Sequence, residues 1–106
     1  DIKNAINYIN KAPNLAIGYM DLGNAYFQSE MYKKAFDAYK KGFDLAANKN
    51  EKYDFVYNMS LVCLKLGDKD KALEYAEYAQ SLKATDEIRK YIHDIKNPWG
   101  LSDSRY

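Results

Sequence analysis

The sequence predicts an all-α fold, an antiparallel helix-turn-helix repeat array closed by a C-terminal capping helix. Three observations carry this reading. Apolar residues recur three and four apart through most of the chain, and no stretch alternates at period two for long. Breakers are few, with two prolines and five glycines in 106 residues. One pattern also occurs twice. Gln28-Ser29-Glu30-Met31-Tyr32-Lys33-Lys34-Ala35 aligns with Lys65-Leu66-Gly67-Asp68-Lys69-Asp70-Lys71-Ala72, each reading as helix end, tight turn and helix start.

Six helices follow from the spacing. The first, over about 2–11, puts Ile2, Ala5, Ile6 and Ile9 on one face, and Ala12-Pro13 ends it. The second, over about 14–29, carries Tyr19, Leu22, Tyr26 and Phe27, with Asn14 ahead of the apolar run as its N-cap. The third, over about 31–47, uses Ala35, Ala38, Tyr39, Phe43 and Ala46. Asn48-Lys49-Asn50 reads as a turn. The fourth, over about 51–66, uses Val56, Met59, Val62 and Cys63, and Gly67 closes it as a left-handed cap. Asp68 caps the fifth, which carries Ala72, Leu73, Ala76 and Ala79 to about Leu82. Thr85, with Ile88 three residues on, opens the sixth, which uses Ile88, Tyr91, Ile92 and Ile95 until Pro98 stops it. The stretch 97–106 has no periodicity and reads as a tail or linker, with Trp99 as a residue able to fold back and seal the last helix pair.

The repeated residues have a packing reason. Small side chains at Gly23, Ala35, Ala38, Ser60, Ala72 and Ala79 let antiparallel helices approach, and Tyr19, Leu22, Tyr26 and Tyr39 fill the space between them. Ala35 and Ala72 stand 37 apart, against a period of about 34 in the helix-turn-helix repeat family that the pattern resembles. Three extra residues in the turn around Asn48 to Lys52 account for the difference, since lengthening a loop is cheap in closure entropy.

Tyr19-x-x-Leu22-Gly23-x-x-Tyr26, followed by Ala35-x-x-x-Tyr39, resembles the tetratricopeptide repeat, with Tyr standing where the pattern has Trp and Phe. The resemblance covers about residues 1–96. It implies a full repeat at 16–49, a second at 53–86 in which Val56, Met59, Ser60 and Cys63 replace the aromatic, Leu, Gly and Tyr, and a capping helix at 85–96. Residues 1–13 look like the trailing helix of a preceding repeat, because Pro13 falls where the family places its proline. The array is therefore expected to extend further on the N-terminal side, and an opening at Asp1 without Met reads as a fragment or a processed product.

The resemblance implies that the first helix of each pair lines a concave groove. That face holds Ile17, Met20, Asp21, Asn24, Phe27 and Gln28 on the second helix and Asp54, Tyr57, Asn58, Leu61 and Lys65 on the fourth. Met20, Asn24, Phe27, Tyr57, Asn58 and Leu61 are the expected peptide contacts. One subfamily clamps a C-terminal carboxylate with Lys, Asn, Asn, Lys and Arg. Asn24 and Asn58 match its two asparagines, but Met20 replaces its first Lys, and Arg89 and His93 stand one residue out of register for its last pair. Two neutral amides hold a carboxylate weakly, so the Asn pair is expected to hydrogen-bond the backbone of an extended peptide.

Other classes of function find no support in the residues. Sixteen basic and fifteen acidic residues are interspersed for a net charge of +1, and no basic stripe suited to nucleic acid stands out. No apolar stretch reaches membrane-span length. The single cysteine, Cys63, sits in an apolar run and fits a small buried hydrophobe in a reducing, cytoplasmic setting. The single histidine, His93, has no second His or Cys near it in sequence for a metal site, the glycines are isolated, and no nucleophile-base pair is apparent. No cofactor and no catalytic residue are expected. The chain reads as a scaffold or adaptor that binds a protein or peptide, rather than as an enzyme. Two alternatives accompany this reading. One is self-association through the N-terminal edge of Ile2, Ile6 and Ile9, and the other is a regulatory or targeting domain of a larger enzyme. Tyr75 and Tyr78 are expected on the outer face of the fifth helix.

Overall fold

The computed structural model describes residues 1–98. They form six α-helices and, among the described residues, no strand: α1 Ile2–Lys11, α2 Ala16–Gln28, α3 Tyr32–Leu45, α4 Lys49–Lys65, α5 Lys69–Leu82 and α6 Asp86–Lys96. Each helix packs on the next in sequence, the antiparallel stacking expected when connections are only three or four residues long. No described helix is long and apolar enough to cross a membrane. The expected seal by Trp99 lies outside the described residues.

The core follows the small-against-large pattern. Ala35, Ala72, Ala76, Ala79 and Ser60 are fully buried, and Ala38 nearly so. Tyr39 lies across Gly23, where an added Cβ would overlap its ring. Phe55 lies across Gly42 in the same way, at the junction of α3 and α4. α4 is buried on most sides, through Tyr53, Phe55, Val56, Met59, Val62 and Cys63, because it is sandwiched between α3 and α5. Ser60, in the register of Gly23, places its hydroxyl in this apolar layer and keeps it satisfied. It donates to the Ala72 carbonyl at 2.5 Å and so accepts from the Tyr91 hydroxyl at 2.9 Å. Tyr78 is exposed as expected. Tyr75 instead turns inward against Phe36, with ring centroids 5.8 Å apart.

The helix ends explain where the expected boundaries moved. Pro13 and Asn14 form a turn closed by the Leu15 N–H on the Ala12 carbonyl at 3.2 Å, so Asn14 is not the cap and α2 starts at Ala16. Asn48 is the N-cap of α4 rather than part of a free turn. Its Oδ1 accepts from Glu51 N–H at 2.9 Å, while the Glu51 carboxylate reaches back to Ala47 N–H and Asn48 Nδ2, both at 3.3 Å. The extra residues of the second repeat thus extend the first turn of α4 instead of lengthening a loop. Asp68 and Thr85 cap α5 and α6 as expected, by accepting from Lys71 and Ile88 N–H.

α2 and α4 end in the same way. In α4 the Gly67 and Asp68 N–H groups bond Leu64 and Cys63, with Gly67 at φ 84°. In α2 the Glu30 and Met31 N–H groups bond Phe27 and Tyr26, with Glu30 at φ 59°. Glu30 therefore adopts a left-handed conformation that disfavours any side chain with a Cβ. Glu30→Gly is expected to raise the unfolding free energy by about 0.5–1 kcal/mol. Urea denaturation followed by circular dichroism checks this, and an unchanged midpoint contradicts it.

Candidate functional site

The first helices of the pairs, α2 and α4, present one face side by side, and the start of α6 continues it. Met20 of α2, Tyr53, Asp54, Tyr57, Asn58 and Leu61 of α4, and Glu87 of α6 line an open hollow of about 540 Å³. Those α4 positions are three and four apart, which puts them on one stripe of the helix. A second hollow adjoins it, lined by Leu15, Ala16, Ile17, Met20, Glu51, Asp54 and Phe55. Met20 and Asp54 belong to both, so the two hollows form one trough.

The trough has a rigid wall and a bonded floor. Tyr57 stacks on Tyr91 with centroids 5.0 Å apart and ring planes 19° apart, and meets Tyr53 edge-on at 5.9 Å. The Tyr53 hydroxyl is 2.8 Å from Thr85 Oγ1, the cap of α6, and this contact fixes the first turn of α6, with Glu87, at the rim. Asn58 Nδ2 donates to Met20 Sδ at 3.1 Å and joins α4 to α2 across the floor. Burial pushes the Tyr57 hydroxyl up to about 12, with smaller contributions from the Glu87 charge, Tyr53 and Tyr91. Burial alone raises Tyr39 to about 12.

These shifts give a pH prediction. A tyrosine whose pKa is higher folded than unfolded binds its proton more tightly in the native state. Its contribution to stability is complete below about pH 10 and is lost as pH rises toward 12. Titration of tyrosinate absorbance is expected to show Tyr39 and Tyr57 ionising well above pH 10, together with the loss of helix signal. Ionisation of all tyrosines near pH 10 in the folded chain contradicts it.

Four of the six expected contact residues, Met20, Tyr57, Asn58 and Leu61, come together in the trough. Asn24 and Phe27 do not join them. Asn24 lies in a separate hollow between α1 and α2, beside Asp21, Gln28 and Tyr8, and its Oδ1 accepts from the Tyr39 hydroxyl at 2.6 Å. Phe27 packs edge-on against Tyr32 at 5.4 Å, over the core that contains Tyr39 and Val62. The sequence reading missed Tyr53, Glu51, Glu87 and Leu15. Its best available signal was the four-residue step from Tyr53 to Tyr57. The N-terminal edge is also less open than expected, since Ile2 and Ile9 are half-buried and only Ile6 of the three is exposed. On α6, Ile88 and Ile92 face the core, Arg89 pairs with Asp86, and His93 lies 3.7 Å from Asp94, so no cation of α6 lines the trough. Among the described residues no group of three or more His, Cys, Asp or Glu could hold a metal ion.

A family model described as tetratricopeptide repeat matches residues 16–49 and 53–86, together more than half of the chain. The three residues between the matches lie in the extended first turn of α4. Among solved structures, the N-terminal domain of stress-induced protein-1 (STI-1) from C. elegans superposes with a TM-score of 0.80 at 14% identity, over 87% of this chain and 76% of that one. YrrB, described as a TPR protein with an unusual peptide-binding site, superposes with a TM-score of 0.72 at 27% identity, over 97% of this chain. This chain spans about half, 52%, of that structure. No curated protein sequence gives a significant match.

Proposed function

This chain belongs to the tetratricopeptide repeat family, and on that premise we propose that it binds an extended segment of a partner protein in the trough across α2, α4 and α6. The coarser role is that of a protein-interaction module. The observation that carries the finer reading is the bonded floor. Met20 and Asn58 come from different repeats and touch at 3.1 Å, and Met20, Tyr57 and Leu61 present apolar surface around that contact that is only half-buried. Such a surface gains free energy when a partner covers it. Its rigid tyrosines lose little side-chain entropy in doing so. Asn58 spends one amide proton on Met20 and keeps its carbonyl oxygen to accept from a partner backbone N–H. The likeness to YrrB supports a peptide-sized ligand.

The test is selection of phage-displayed random peptides on the domain, followed by affinity measurement on a Met20→Glu/Leu61→Glu variant with unchanged helix signal. Selected peptides are expected to bind the variant about 30-fold more weakly or worse. Peptides that bind the variant as well as the parent place recognition on another face.

A further inference from the structure

We propose that the segment taken by this trough is basic and aliphatic, with Lys or Arg interleaved among Leu, Ile or Val side chains. This rests on the trough reading above and adds the chemistry of the partner.

The argument is charge segregation. The chain as a whole is balanced, with 16 basic and 15 acidic residues. The trough is not. Its two hollows carry Glu51, Asp54 and Glu87, and among the described residues no Lys, Arg or His lines either. Asp21, on the same helix as Met20, continues the acidic run into the neighbouring hollow, whose described lining also lacks a basic side chain. Six of the described cations are engaged elsewhere. Lys40 pairs with Asp44, Lys90 with Asp94, Lys96 with Glu77 and Arg89 with Asp86. Lys34 and Lys52 lie over the rings of Tyr26 and Phe43. Lys83 stands near the trough wall, its Nζ 5.6 Å from the Tyr53 centroid, but does not line the hollow.

The trough carboxylates contrast with these paired ones. Asp54 and Glu87 make no ion pair among the described residues, although they stand at the edge of an apolar surface where a partner would partly dehydrate them. Covering them with a neutral or acidic segment would bury charge without compensation. A Lys or Arg side chain resolves this, because its methylene stem can lie on Met20, Tyr57 and Leu61 while its head reaches Asp54 or Glu87. Apolar side chains of the same segment would enter the second hollow against Leu15, Ile17 and Phe55. The expected charge preference is therefore the reverse of a carboxylate clamp.

The same peptide selection tests this, with two added readouts. Sequences that depend on Met20 and Leu61 are expected to be enriched in Lys and Arg beside aliphatic residues. Their affinity is expected to fall about tenfold in an Asp54→Asn/Glu87→Gln variant, and also from low to high salt. Trough-dependent sequences that are neutral or acidic, or that ignore both substitutions and salt, overturn the basic preference and leave the trough reading standing. Recovery of no trough-dependent sequence overturns both.

Discussion

Gly42→Ala is expected to lower the unfolding free energy by about 3 kcal/mol, at the upper end of what overpacking one carbon costs. The site lacks the usual means of relief. Gly42 is buried in α3, and an added Cβ would overlap the ring of Phe55, itself 2% exposed and held between α3 and α4. A flexible side chain could swing away, but a buried aromatic ring can move only by shifting α4. Phe55→Ala alone is expected to cost about 3–5 kcal/mol by leaving a cavity. Combined, the two changes are expected to cost at least about 1 kcal/mol less than their sum, because each occupies or vacates the same space. Chemical denaturation of the four proteins of this cycle measures it. Strict additivity would mean that the ring and the glycine are not coupled.

The preceding junction holds the same contact in reverse. Tyr8 of α1 lies against Gly18 of α2, where an added Cβ would come within 3.0 Å of the Tyr8 ring and 2.8 Å of Ile9. Gly18 and Phe55 are 37 apart and Tyr8 and Gly42 are 34 apart, so both pairs sit at equivalent sites with the large and small partners exchanged. The first helix pair packs Tyr39 on Gly23. The second has Ala76 and Ser60 in that register, and Tyr91 of α6 reaches Ser60. The second repeat packs without the aromatic signature because Tyr91 of α6 supplies at Ser60 the bulk that Tyr39 supplies at Gly23.

That exchange of partners explains how far the sequence could be read. Helix count and order were legible because small residues at fixed spacing leave a helical period regardless of which neighbour supplies the bulk. Gly67 announced its turn by residue type, whereas Glu30 adopts the same geometry and is recognisable only by its 37-residue offset from Gly67. Asn48 looked like a turn residue because asparagine favours both turns and caps. Glu51 three residues on was the cue that separates them. For the site, the period of a helix fixes which residues share a face but not how far a neighbouring side chain reaches. Tyr39 ties up Asn24 from fifteen residues away, and Tyr32 draws Phe27 toward the core. Glu87 joins the trough only because α6 folds back over α4, a long-range fact that local pattern does not encode.

The last helix offers the second large effect. Ile88 is fully buried and packs with Ile92, Ile95, Ala72, Ala76 and Ala79. Ile88→Ala is expected to remove about 2–5 kcal/mol at that site. The loss need not appear as global instability. α6 is the final helix among the described residues and packs chiefly on α5, so in a stacked array it can undock while the earlier helices remain folded. Hydrogen exchange is then expected to accelerate first in the amides of α6, with those of α2 and α3 still protected. Undocking also withdraws Glu87 from the rim and Tyr91 from behind Tyr57. Peptide affinity should therefore fall in Ile88→Ala although Ile88 does not line the trough. Uniform acceleration across all six helices would instead show a single cooperative unit, in which the trough cannot loosen without the whole array.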